Sequence, residues 1–163
     1  FIVGTFSKSL GGVGGFCVSR HEEFELLRLA SRPYIFTASP PPPVIAATRA
    51  ALARLLAGDD LRANLWRHVN RFYPAMQKIG YRLGSTDPGP VTALLFNDRD
   101  SAMALWQGLL DAGIYTNLMV PPSTPAGLSI VRISLSAAHT DEQVDRMIDA
   151  LARIAPGLKM AAA

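Results

Sequence analysis

Cysteine is almost absent from this 163-residue chain: Cys17 stands alone, so no disulfide can close within it. A single thiol fits a reducing compartment and leads us to expect a cytoplasmic protein. Lysine is scarce too, with three residues against thirteen arginines. The formal charge is +3 and the isoelectric point is near 9.4, but the basic residues are scattered, so a nucleic-acid partner is not expected. No apolar run approaches the roughly 18 residues of a membrane span, and a transmembrane segment is not expected either. His21, His68 and His139 lack metal-spaced partners, which argues against a metal site and for structural roles. There is no internal repeat, and Pro40 to Pro43 form the only low-complexity patch. An initiator methionine and a signal peptide are also missing, and Phe1 reads as the middle of a strand. We therefore expect the C-terminal part of something longer.

Hydrophobic residues make up 49% of the chain, which marks a folding sequence with one core or two small halves. Phe1–Gly4 reads as the end of a buried strand, residues 14–19 as a second strand, and residues 21–30 have helical spacing. Arg32–Ser39 reads as an extended connector, kept out of a helix until the prolines end. A helix over Val44–Leu56 and another over Leu61–Ile79 flank an interruption at Gly58-Asp59-Asp60. The domain division is expected there, giving 1–58 and 59–163. Beyond it the pattern predicts a strand at Val91–Phe96, a helix at Asp100–Ala112 and an extended piece at Ile114–Asn117. A loop at Pro121–Gly127 and a strand at Leu128–Leu135 follow. A last helix starts at Thr140, where Thr140 and Gln143 have capping-box spacing. Val144, Met147, Ile148 and Leu151 form its apolar stripe. Met119 and Trp106 read as core. Mixed strands and helices with short links predict a small α+β domain packed on a sheet.

Lys8 is the informative residue. Lys78 sits in a helical stretch and Lys159 in the tail, but Lys8 follows an apolar strand, has Thr5 and Ser7 just before it, and precedes Gly11-Gly12. An amine placed there can attack a carbonyl, and the hydroxyls and loop amides can hold an anion. A nucleotide P-loop is not expected, because Ser7 stands where that motif has glycine before the lysine. The dinucleotide fingerprint fails as well, with Cys17 in place of its last glycine. From composition alone, a surface lysine in a turn remains an equal reading.

The whole string Gly4-Thr5-Phe6-Ser7-Lys8-Ser9-Leu10-Gly11-Gly12, then Gly14-Gly15-Phe16, resembles the lysine segment of the α-oxoamine synthases. These are fold-type I pyridoxal phosphate enzymes that condense an amino acid with an acyl-CoA. Arg32–Ser39, Trp106–Leu110, Pro121–Gly127 and Ser134–Thr140 resemble bacterial members that use serine and a long-chain acyl-CoA. The resemblance runs in order along essentially the whole chain. It implies an α/β fold, with the end of the large-domain sheet in 1–58, and a linking helix with the α+β small domain in 59–163. By the same resemblance Lys8 is the lysine that carries pyridoxal phosphate, and Thr5 and Ser7 lie near its phosphate. Thr37 is the threonine that reaches the phosphate in the neighbouring subunit, which implies a homodimer. Arg132 is the arginine that holds the amino-acid carboxylate. Read from the strand alone, Arg132 shares a face with Ile130 and Ser134, and an edge arginine facing water remains the alternative.

One position departs from the pattern. Where those bacterial members have an arginine before the paired prolines, this chain has Val120. Loss of that donor weakens carboxylate binding by about 1.5–3 kcal/mol where nothing replaces it. Glycine or alanine as the amino acid therefore stays open, as does a fold-type I aminotransferase, and a non-catalytic subunit ranks below both because Lys8 is retained. The family's ring-binding aspartate, stacking side chain and glycine-rich phosphate helix all precede the lysine, so these 163 residues alone are expected to be inactive.

Overall fold

In the computed structural model, which describes residues 1–159, the chain divides into two units, Phe1–Asp59 and Asp60–Ala163. The first begins with an antiparallel hairpin of β1 (Ile2–Thr5) and β2 (Gly15–Val18), in register from Ile2↔Val18 to Thr5↔Gly15. A Cβ at Gly15 would come 2.4 Å from the Gly4 carbonyl oxygen, so this position takes nothing larger than glycine. The strand expected to be buried at Phe1–Gly4 is on the surface instead, with Ile2 66% and Val3 75% exposed. A ribbon of two strands has no third layer to bury its faces.

Residues 21–30 form a 3-10 helix, Glu22–Leu26, running into one helical turn, α1 (Leu27–Ala30). The connector expected to be extended contains a further turn, α2 (Arg32–Ile35), whose Tyr34 and Ile35 amides donate to the Ser31 carbonyl, each at 3.0 Å. Pro33 lies in the first turn, where the missing N–H would have no partner anyway. For the same reason α3 (Pro42–Ala57) starts inside the proline run and not after it. Gly58 ends α3, and α4 (Asp59–Ile79) follows at once. Among residues 1–59 only Thr48 and Gly58 are buried.

The second unit has a core. Its sheet has the order β3-β5-β4, with β3 (Val91–Phe96) and β4 (Asn117–Met119) both antiparallel to the central β5 (Ser129–Ser134). The extended piece expected at Ile114–Asn117 thus lies later in the chain. Gly113, with φ 75°, ends α5 (Arg99–Asp111), and residues 114–116 carry the chain back to the sheet. Alternation along the strands sends Leu94, Phe96, Val131 and Ile133 to one face. There they meet Val69, Phe72 and Met76 of α4, Leu105 and Leu109 of α5, and Val144, Met147 and Leu151 of α6 (Asp141–Ile154). Ile148 is only half-buried, and Ala150 completes the apolar stripe. The opposite face carries Ala93, Leu95, Asn117, Met119, Ile130, Arg132 and Ser134.

Caps fix the helix starts. Thr140 and Gln143 form the expected capping box, each side chain bonding the other's backbone N–H. At α5 the Asp98 carboxylate accepts the Ser101 amide at 2.7 Å, and this bond holds its pKa below the usual aspartate range. A carboxyl with a lowered folded pKa adds stability above its unfolded value, and loses it as the pH falls through the folded one. Asp98→Asn should therefore flatten the loss of urea stability below about pH 4, the unfolded aspartate range. An unchanged acid limb in the variant would rule this out.

Candidate active site

Between β1 and β2 the chain makes a closed loop over Phe6–Gly14. Its rim is fixed by Phe6 N–H donating to the Gly14 carbonyl at 2.9 Å and Gly12 N–H to the Phe6 carbonyl at 2.8 Å. Gly11 N–H donates to the Lys8 carbonyl at 3.0 Å, closing a tight turn that begins at Lys8. Gly11 and Gly14 have φ of 59° and 99°, backbone that side chains strain, which is why the glycines follow the lysine. Lys8 is exposed, and no acidic side chain among the described residues pairs with it. On the same loop Thr5 Oγ1 and Ser7 Oγ lie 2.8 Å apart, and Thr5 Oγ1 also accepts the Ser7 amide at 3.2 Å. An amine and two adjacent hydroxyls on one rigid turn suit a ligand with a carbonyl at one end and a phosphate at the other.

The turn is backed by an apolar cavity of about 480 Å³ lined by Phe6, Leu10, Val13 and Phe16 with Val44 and Thr48 of α3. Thr48 Oγ1 is buried without a hydrogen-bond partner among the described residues, and a Cβ on Gly12 would come 2.7 Å from it. Gly12 therefore lets the loop close on α3. Thr37 is exposed just past α2, and its hydroxyl accepts the Ser39 amide at 3.4 Å. No hydrogen bond joins it to the Lys8 loop within this unit.

In the second unit Arg132 lies on the central strand, between Ala93 of β3 and Asn117 of β4. It is not an edge residue. Its guanidinium is exposed on the face away from the helices, where Nη2 donates to Asn117 Oδ1 at 3.3 Å. The adjoining loop leaves β4 through Val120, whose carbonyl accepts the Ser123 amide at 3.1 Å and the Ser123 hydroxyl at 2.6 Å. A cis Pro121–Pro122 peptide follows. No sequence signal marks Asn117, because strand register alone puts it beside Arg132, and register is invisible without the partner strands.

Two histidines, His68 and His139, are held in the scaffold. His68 is fully buried, its Nε2 lies 2.9 Å from the His139 carbonyl, and its Nδ1 lies 3.5 Å from Asp141 Oδ1. Asn64 donates to the Ala137 carbonyl at 2.7 Å, and Arg67 pairs with Asp141, which lowers that carboxyl's pKa. One face of α4 thus pins the connection between β5 and α6. Among the described residues no acidic, His or Cys cluster could hold a metal, and no helix is long and apolar enough to cross a membrane.

Residues 1–151 match the family model described as aminotransferase class I and II. The chain is 47% identical to the serine palmitoyltransferase of Caulobacter vibrioides over 97% of its own length and 39% of that protein's. Among solved structures, serine palmitoyltransferase of Sphingomonas wittichii superposes with a TM-score of 0.89 at 45% identity, over 96% of this chain and 40% of that one. The serine palmitoyltransferase of S. paucimobilis with a bound PLP–myriocin aldimine gives 0.90 at 40% identity, over 95% and 39%. This chain thus has the α/β fold of a C-terminal part of those transferases, spanning about 40% of their length.

Proposed function

Since this chain belongs to the aminotransferase class I and II family, we propose that it is the C-terminal part of a pyridoxal phosphate-dependent acyltransferase. In this reading the whole enzyme condenses serine with a long-chain acyl-CoA, releases carbon dioxide and yields a 3-oxo-amine. The observation that carries it is 47% identity to a serine palmitoyltransferase along 97% of the chain, with Lys8 retained on its hydroxyl- and glycine-bearing turn.

When bound, pyridoxal phosphate supplies an electron sink for charge developing beside the amino group. The chain's own residues do the rest. Lys8 Nζ would hold the cofactor covalently as an amine nucleophile, and the same nitrogen, when free, would serve as the base for the substrate α-proton. Thr5 and Ser7 would set their hydroxyls beside the phosphate, and Thr37 would reach that of the neighbouring subunit, which would make the active form a homodimer. Arg132 binds the substrate carboxylate through the planar fork of its guanidinium. Residues 1–58 are then the end of the cofactor domain, and 59–163 the linking helix and small domain of a cytoplasmic enzyme.

Val120 favours one second reading, in which glycine or alanine replaces serine. The test uses the enzyme at the full length of its relatives, loaded with cofactor and given each amino acid with and without palmitoyl-CoA. Carbon dioxide and free CoA thiol should appear together, fastest with serine. Fastest turnover with glycine or alanine would select the second reading. Amino-group transfer without carbon dioxide or a thioester would refute both and identify an aminotransferase.

A further inference from the structure

We propose that Asn117 is the positioning residue for Arg132, and this rests on the reading of Arg132 as the carboxylate-binding group. A guanidinium carries only donors, so the contact at 3.3 Å fixes the amide with its oxygen toward Arg132. Arg132 has this neutral acceptor and no carboxylate partner among the described residues. An arginine kept for fold stability gains most from Asp or Glu, which would cancel its charge. Held by an amide, it keeps its full charge and its remaining N–H groups for a ligand.

The surroundings agree. On the other flanking strand Arg132 faces Ala93, which has no polar atom to compete and little bulk to crowd the fork. Asn117 and Arg132 are register partners across adjacent strands, so the contact is set by the sheet and not by a mobile loop. Three residues on, Val120 supplies no second cation. Recognition of the carboxylate then falls on one guanidinium, whose orientation matters correspondingly more.

The experiment measures dissociation constants for serine by absorbance titration of the full-length, cofactor-loaded enzyme without acyl-CoA. Loss of a hydrogen bond to a charged group predicts serine binding weakened about tenfold in Asn117→Ala. Asn117→Asp keeps size and acceptor but neutralises the fork, and should weaken serine binding more than alanine does. For 2-aminoethanol, which lacks the carboxylate, the parent and both variants should agree within about twofold, since no bond to a carboxylate is at stake. Melting temperatures confirm that the variants compared are folded. Serine affinity unchanged in both, an aspartate variant that binds at least as well as the alanine one, or an equal loss for 2-aminoethanol would each overturn the proposal. Arg132→Ala separates the two claims: unchanged serine binding there refutes the role of Arg132 itself. Weakened binding there with silent Asn117 variants refutes only the role of Asn117.

Discussion

Lys8→Ala in the full-length enzyme should lower kcat by at least about 10²–10⁴-fold, the usual worth of a positioned proton carrier. It should also end covalent retention of the cofactor, read as the loss of the mass gain that borohydride reduction gives the parent protein. Lys8→Arg is the more searching variant. Arginine keeps the charge, the length and the loop's solvent exposure, but stays protonated at any working pH and cannot act as a nucleophile. If Lys8 were a surface lysine in a turn, arginine would be tolerated. As the cofactor lysine it must fail as alanine does. Turnover near the parent level in either variant would remove Lys8 from the chemistry.

Cutting the chain at its unit boundary should produce two unlike halves. Residues 60–163 should unfold cooperatively in urea with about 5 kcal/mol or more of stability, typical of a domain of this size. Every member of the buried apolar cluster, from Val69 to Ala155, lies in that half. Both tryptophans, Trp66 and Trp106, lie there too, so fluorescence reports it directly. Residues 1–59 should show no cooperative transition alone. They leave Phe1, Val3, Val13, Leu29 and Phe36 each at least 75% exposed and bury only Thr48 and Gly58. A hairpin and helices without a shared core cannot offset the backbone entropy of ordering them. A sharp transition in the isolated first half, or its absence in the second, would contradict this reading of the core.

The second half was the more legible one because its signals are local. Val91–Phe96 is a short apolar run, and it forms a strand with the bounds expected. Thr140 and Gln143 announced a capping box three residues apart, and Gly80 and Gly113 stop their helices with positive φ. The differences in the first half have two sources. Proline argues against helix at Arg32–Ser39 and through Pro43, whereas first-turn positions accept it and both segments use them. The burial expected of Phe1–Gly4 depends on neighbours that a strand's own residues do not supply.

Residue types and short spacings establish the chemistry on offer: one lysine among hydroxyls and glycines, one arginine on an alternating strand, and no residues for a disulfide or a metal-spaced histidine site. Those properties survive without coordinates. Tertiary structure decided what sequence spacing cannot. The order β3-β5-β4 put Arg132 on a central strand, and pairing brought Asn117, fifteen residues away, onto its guanidinium. Closure of the hairpin on α3 placed Gly12 against Thr48. Strand order and register are settled by which apolar faces bury together, and that is a property of the whole fold.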